Sequence, residues 1–122
     1  MAEELIDESL RAVADPTRRA ILRLVRDGEM PAGRIAEHFP TISRPAVSQH
    51  LRVLAGAGLV DVRPDGNRRL YRWRREGLRD AAAFVEEMWS DRLARLKAAA
   101  EREAWPERTR AARRSARKEI RP

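Results

Sequence analysis

Residues 42–60 read ISRPAVSQHLRVLAGAGLV. Val47, Leu51 and Leu54 fall at i, i+4 and i+7, so a helix through this stretch buries one narrow face and leaves Arg44, Ser48, Gln49 and Arg52 off it. Ser43 stands where a side-chain oxygen can accept from the first turn, Pro45 is tolerated inside that turn, and Gly56 and Gly58 end the helix. A short helix anchored by three aliphatic residues keeps its polar face for something else.

Just upstream, PAGRIAEHF (31–39) predicts a short helix with Ile35 and Phe39 on one face and Pro40 stopping it. Two short helices joined by a tight turn, the second presenting polar residues, form a helix-turn-helix. Before them, residues 3–13 predict a first helix with Leu5, Ile6, Leu10 and Val13 at helical spacing. ADPTRRAILRLVRDGEM (14–30) then restarts a helix: Asp15 caps, Pro16 takes the first position, Gly28 suits the exit, and Ile21, Leu22, Leu24 and Val25 form the buried side.

Downstream, in LVDVRPDGNRRLYRW (59–73), Val60 and Val62 alternate with Asp61 and Arg63, and Tyr71 and Trp73 alternate with Leu70 and Arg72. This predicts a β-hairpin turning at PDGN, with Tyr71 and Trp73 in the core and Arg63, Arg68 and Arg69 around its tip. From Glu76 to about Ala104 a long helix is expected, with Leu78, Val85, Met88, Trp89, Leu93 and Leu96 as its apolar stripe. At 1.5 Å per residue it runs roughly 40 Å, longer than a small domain is wide. Beyond Trp105 and Pro106 the chain is polar and basic, which predicts a frayed helix or a disordered, flexible tail. The expected organisation is thus one domain over residues 1–104 and a basic tail over 105–122.

The bulk properties agree with a small binding protein. The chain has 122 residues and a net charge of +7, and only six of its residues are aromatic, so the core is thin and a partner subunit would help it. Charge is unevenly placed: residues 1–15 hold five acids and one Arg, whereas residues 43–75 hold eight Arg and two Asp. Arginine's planar fork suits phosphate and guanine, which points to a nucleic-acid partner. With no cysteine, disulfides, thiolate metal sites and cysteine nucleophiles are excluded. There is no Gly-rich phosphate loop, nucleophile elbow or isolated carboxylate pair, so no enzymatic activity is expected. The acidic N-terminus and the lack of a long apolar run predict a cytoplasmic protein with no membrane contact.

The order of helix, helix, helix-turn-helix, hairpin and long helix is a winged helix. LRAVADPTRRAILRLV, AGRIAEHF, SRPAVSQHLRVLAGAGLV and RPDGNRRLYRW, in that order, resemble the ArsR/SmtB family of bacterial repressors over about residues 5–100. DPTRR and the tryptophan-bearing last helix look more like its metal-independent autorepressor branch. Where classical sensors of the family carry a Cys-x-Cys pair, this chain has Pro31 and Gly33, and residues 76–104 contain no His. Neither metal nor another cofactor is therefore expected. FPTIS is one residue longer than the family's usual turn.

The resemblance implies a mainly α winged helix-turn-helix that dimerises through its first and last helices, represses transcription and binds double-stranded DNA at an inverted repeat. Arg44, Ser48 and Gln49 are the candidates for base readout, and Thr41, Ser43, His50, Arg52, Arg63, Arg68 and Arg69 for backbone or wing contact. His50 is also open to packing at the helix edge or, less favoured, to binding metal, and His38 reads as solvent-facing. Leu5, Leu10, Phe84, Val85, Met88, Trp89, Leu93 and Leu96 are the candidate dimer interface; Phe84, Met88, Trp89 and Leu93 could alternatively line a ligand pocket. A regulator answering to an unknown small effector, and a winged helix that binds protein, are the other readings.

Overall fold

The computed structural model describes residues 2–103, so the expected tail over 105–122 lies outside the described residues. The elements run α1 (Ala2–Val13), α2 (Pro16–Val25), β1 (Met30–Pro31), α3 (Ala32–Glu37), α4 (Arg44–Gly56), β2 (Val60–Asp65), β3 (Arg68–Trp73), a 3₁₀ turn (Arg75–Leu78) and α5 (Arg79–Glu103). The three strands form an antiparallel sheet in the order β1-β3-β2. This is the expected mainly α winged helix-turn-helix. The chain divides into two units between Ala83 and Phe84.

The first unit is held by a core of Ala12, Ile21, Leu22, Val25, Ile35, Val47, Leu51, Leu54, Leu59, Val60 and Tyr71. Val47, Leu51 and Leu54 are each at most 2% exposed, so α4 is fixed by the face its spacing announced. Fully burying such side chains stabilises by roughly 1.5–3 kcal/mol each. Caps define the ends of α2 and α4: Asp15 accepts from the Arg18 N–H at 3.0 Å, and Ser43 from the Ala46 N–H at 3.2 Å. α4 exits through Gly58, whose φ of 74° lets the Leu59 N–H reach the Leu54 carbonyl (2.9 Å) and the Gly58 N–H reach that of Ala55 (3.0 Å). That double closure satisfies the last carbonyls and drops Leu59 into the core.

Several details differ from the sequence reading. Gly28 is not in the left-handed region; α2 ends at Val25 with Arg26 as its C-cap. α3 closes at Glu37, ahead of Phe39. Met30 and Pro31 pair with Tyr71 and Leu70 as β1, a strand too short for any periodicity to announce. The expected alternation of the hairpin fails at two places. Val62 is exposed, because β2 is an edge strand buried only at Val60, and Leu70 is buried beside Tyr71. The edge position also explains why Pro64 is tolerated within β2.

The last helix begins at Arg79, not Glu76. Gly77 lies in the preceding 3₁₀ turn, where an added Cβ would collide with the Gly58 carbonyl, and its own carbonyl accepts from the buried Ser9 hydroxyl at 2.8 Å. That contact explains a second difference: α1 turns Ser9 and Ala12 inward, with Ile6 and Val13 half-buried, and leaves Leu5 and Leu10 exposed.

Candidate nucleic-acid interface

Helical rotation of about 100° per residue sorts the polar residues of α4 into two flanks and a crest. On one flank, Arg44, Ser48 and Arg52 line an open cleft of about 660 Å³ whose other walls are Arg34 and Glu37 of α3 and Asn67, Arg68 and Arg69 of the wing hairpin. Five guanidinium groups meet one carboxylate there. Arg44 is exposed and forms no ion pair among the described residues, while Arg52 Nη1 donates to Gln49 Oε1 at 3.1 Å on the crest. Thr41, in the turn before α4, is exposed.

The structure places His50 on the other flank, away from this cleft. Its half-buried ring has Nδ1 3.3 Å from Arg18 Nη1 and 3.9 Å from an Asp15 carboxylate oxygen. Arg18 also donates to the Ala12 carbonyl at 2.7 Å and the Arg11 carbonyl at 3.0 Å, so one side chain ties the end of α1 to α4. Of the readings left open for His50, packing at the helix edge describes its surroundings. The Arg18 backbone N–H, and then the neighbouring His50 and Arg18 side chains, hold the Asp15 carboxyl below the usual carboxylate range against the opposing effect of burial. His38 is exposed, with Nδ1 2.9 Å from the Arg34 carbonyl oxygen.

The wing arginines are in a different state. Arg63 donates through Nε and Nη2 to both carboxylate oxygens of Glu29, and that hydrogen-bonded pair lowers the pKa of Glu29 and raises that of Arg63. Arg63 therefore braces the base of the hairpin and does not line the cleft. Arg68 donates to Asp65 at 2.8 Å, across the two-residue Gly66-Asn67 loop; Arg69 has no ion pair among the described residues. Arg34, Glu37 and Asn67 were not singled out from the sequence. Asn67 was legible as the residue closing the Gly-Asn turn, but Arg34 is brought in only by the α3–α4 packing.

On α5, Phe84, Val85, Met88, Trp89, Leu93 and Leu96 are all exposed, Trp89 and Leu93 by more than half. Among the described residues no three His, Cys, Asp or Glu side chains gather as a metal site, and no helix is long and apolar enough to cross a membrane.

A helix-turn-helix carried on a small core, with an arginine-lined cleft between its second helix and a β-wing, defines the class of winged-helix DNA-binding proteins. A helix-turn-helix domain family matches residues 13–63. The chain is 42% identical over 87 residues to the HTH-type transcriptional regulator Rv2034 of Mycobacterium tuberculosis, covering 71% of this chain and 80% of that one. It is 52% identical over 50 residues to the transcriptional repressor SdpR of Bacillus subtilis, covering 41% and 54%. Among solved structures, a possible transcriptional regulator for arsenical resistance superposes with a TM-score of 0.62 at 46% identity, over 75% of this chain and 94% of that one. An ArsR-like transcriptional regulator from Rhodococcus sp. RHA1 superposes with a TM-score of 0.68 at 27% identity, over 81% and 92%. The chain belongs to the ArsR family of winged-helix transcriptional regulators, which bind DNA and are not enzymes.

Proposed function

We propose that the protein is a cytoplasmic homodimeric repressor that lays two copies of α4 into successive major grooves of an inverted-repeat operator and needs no metal to do so. Arg44, Ser48 and Gln49 read base edges, Arg52, Thr41 and Ser43 contact the backbone near them, and Arg68 and Arg69 of the wing hold backbone or minor groove. Arg34 and Asn67, which share the cleft, join the backbone contacts; His50 and Arg63 act indirectly, by seating α4 and the wing. The dimer forms through α1 and α5, with Leu5, Leu10, Phe84, Val85, Met88, Trp89, Leu93 and Leu96 as its apolar contacts. Residues 1–104 act as the DNA-binding and dimerising part, and 105–122 as a basic tail.

The observation that carries this reading is the cleft in which Arg34, Arg44, Arg52, Arg68 and Arg69 surround a single acid, Glu37. A protein-binding winged helix has no use for a basic wing set beside a polar recognition helix. Metal independence is supported by Pro31 and Gly33 standing where the family's thiolates would be; the relation to an arsenical-resistance regulator makes this a point to test directly.

Footprinting on DNA upstream of the gene is the test. Two protected half-sites with centres about one helical turn, roughly 34–36 Å, apart are expected. Protection should survive Zn(II), Ni(II), Cd(II) and arsenite at micromolar levels. A single half-site, or release by one of these ions with recovery in EDTA, contradicts the proposal.

A further inference from the structure

A second cleft, of about 310 Å³, has a different lining. Leu22, Trp73 and Leu78 give it an apolar floor, Arg19, Arg23 and Arg26 stand around it, and no acidic side chain lines it. The arginines recur at i, i+4 and i+7 along α2 and its C-cap, which places them on one stripe. Like charges at that spacing repel. The dipole at the end of α2 favours a cation in the last turn, but it does not account for a row of three.

Only part of this charge is engaged within the protein. Arg19 donates to the Val13 carbonyl at 2.7 Å, and Arg26 lies 3.7 Å from Asp27 with both side chains exposed, a pair that contributes little. Arg23 has no ion pair among the described residues. Trp73 and Leu78 remain only half-buried. The combination is an apolar floor with unneutralised cations beside it, at the lower end of the roughly 300–1,000 Å³ range of small-molecule sites.

We propose that this cleft binds an amphipathic organic anion, with a carboxylate held by Arg23 and Arg26 and an aliphatic or aromatic body lying on Leu22, Trp73 and Leu78. The volume suits a small carboxylic acid, and the apolar floor offers nothing to a bare phosphate. An occupant would touch Trp73 at the end of the strand that starts with Arg68 and Arg69, and Leu78 immediately before α5. It is thus placed at the roots of both the wing and the last helix. The cleft shares no residue with the one between α4 and the wing.

The test is a titration of the ¹⁵N-labelled full chain with decanoate below its micelle concentration, following the indole N–H resonances of Trp73, Trp89 and Trp105, each assigned by a Trp→Phe variant. A saturable shift of Trp73 without one of Trp89 is expected, at least tenfold weaker with 1-decanol or decyltrimethylammonium. Arg23→Gln with Arg26→Gln should weaken decanoate at least tenfold; both side chains are exposed and neither makes a side-chain hydrogen bond among the described residues, so the fold is kept, as circular dichroism will show. Leu78→Glu, which fills the floor with a charge, should abolish binding independently. No shift at millimolar decanoate, a response at Trp89 first, equal binding of decanol, or indifference to the arginine changes would overturn the proposal. So would a Trp73 resonance that moves with protein concentration alone, which would assign the face to a second copy. The titration needs no DNA, so it and the operator experiments fail separately.

Discussion

Helix α4 and the wing both present arginines to one cleft, yet the two sets are held differently. Arg44 has no carboxylate partner among the described residues, whereas Arg68 already sits on Asp65 and Arg63 is locked to Glu29; of the three arginines expected at the wing tip, Arg69 alone has no ion pair among the described residues. A paired arginine must exchange a carboxylate for a phosphate on binding, and its net contribution shrinks accordingly. Under the proposed function, this difference makes α4 the reader of sequence and the wing a more modest, salt-sensitive grip.

The largest change is expected from breaking the proposed dimer, which would double both surfaces. Trp89→Glu with Leu93→Glu should yield monomers in sedimentation, with operator affinity lowered at least a hundredfold and the first unit still folded. Loss of dimer with undiminished operator affinity would leave the comparison standing on one subunit alone. Next comes Arg44→Ala, which should lower operator affinity by about 1–3 kcal/mol if the side chain pairs with guanine. Arg68→Ala with Arg69→Ala should weaken operator and random duplex alike and flatten the slope of log K against log salt by about one unit per lost phosphate contact. Asp65→Asn sharpens the contrast from the other side: freeing Arg68 should raise non-specific affinity by about two- to fivefold, in line with an exposed pair of roughly 0.2–1 kcal/mol.

The smallest effect concerns the seat of α4, not the cleft. Asp15→Ala removes the α2 cap and the acid beside His50, and should lower stability by about 1 kcal/mol in urea unfolding while leaving base preference unchanged. Because the folded pKa of Asp15 is lowered, its contribution is fully present above the unfolded carboxylate value and is lost as pH falls through the folded one. The stability gap between wild type and Asp15→Ala should therefore close only on the acid side of the ordinary carboxylate range. A gap that instead closes between pH 6 and 8 would place the titrating group elsewhere.

Local signals in the sequence were enough where one element decides the outcome. Ser43, the Val47-Leu51-Leu54 stripe and Gly58 specify α4 from cap to exit, and each does what its chemistry requires. Pairings across the chain left no such trace. Met30 and Pro31 become a strand only because β3 offers them an edge, and Glu29 meets Arg63 across 34 positions. Leu70 is buried because β3 is the middle strand of the sheet, which overrides the alternation of a free hairpin. Ser9 faces inward because the Gly77 carbonyl waits for it, while a hydrophobic periodicity favours Leu10. For the cleft, the residues on α4 and on the wing were legible, and that Arg34 completes them was not.

The direct measurement is fluorescence anisotropy of Arg44→Ala and of Arg68→Ala with Arg69→Ala, each titrated on operator and on a scrambled duplex at several salt concentrations. If α4 reads and the wing grips, Arg44→Ala weakens the operator complex, relaxes preference at one base pair in each half-site and leaves scrambled DNA nearly unchanged, while the wing variant lowers both together with a flatter salt slope. If Arg44→Ala instead weakens both duplexes equally, α4 does not read through Arg44, the longer FPTIS turn having shifted its register, and the division of labour between helix and wing is wrong.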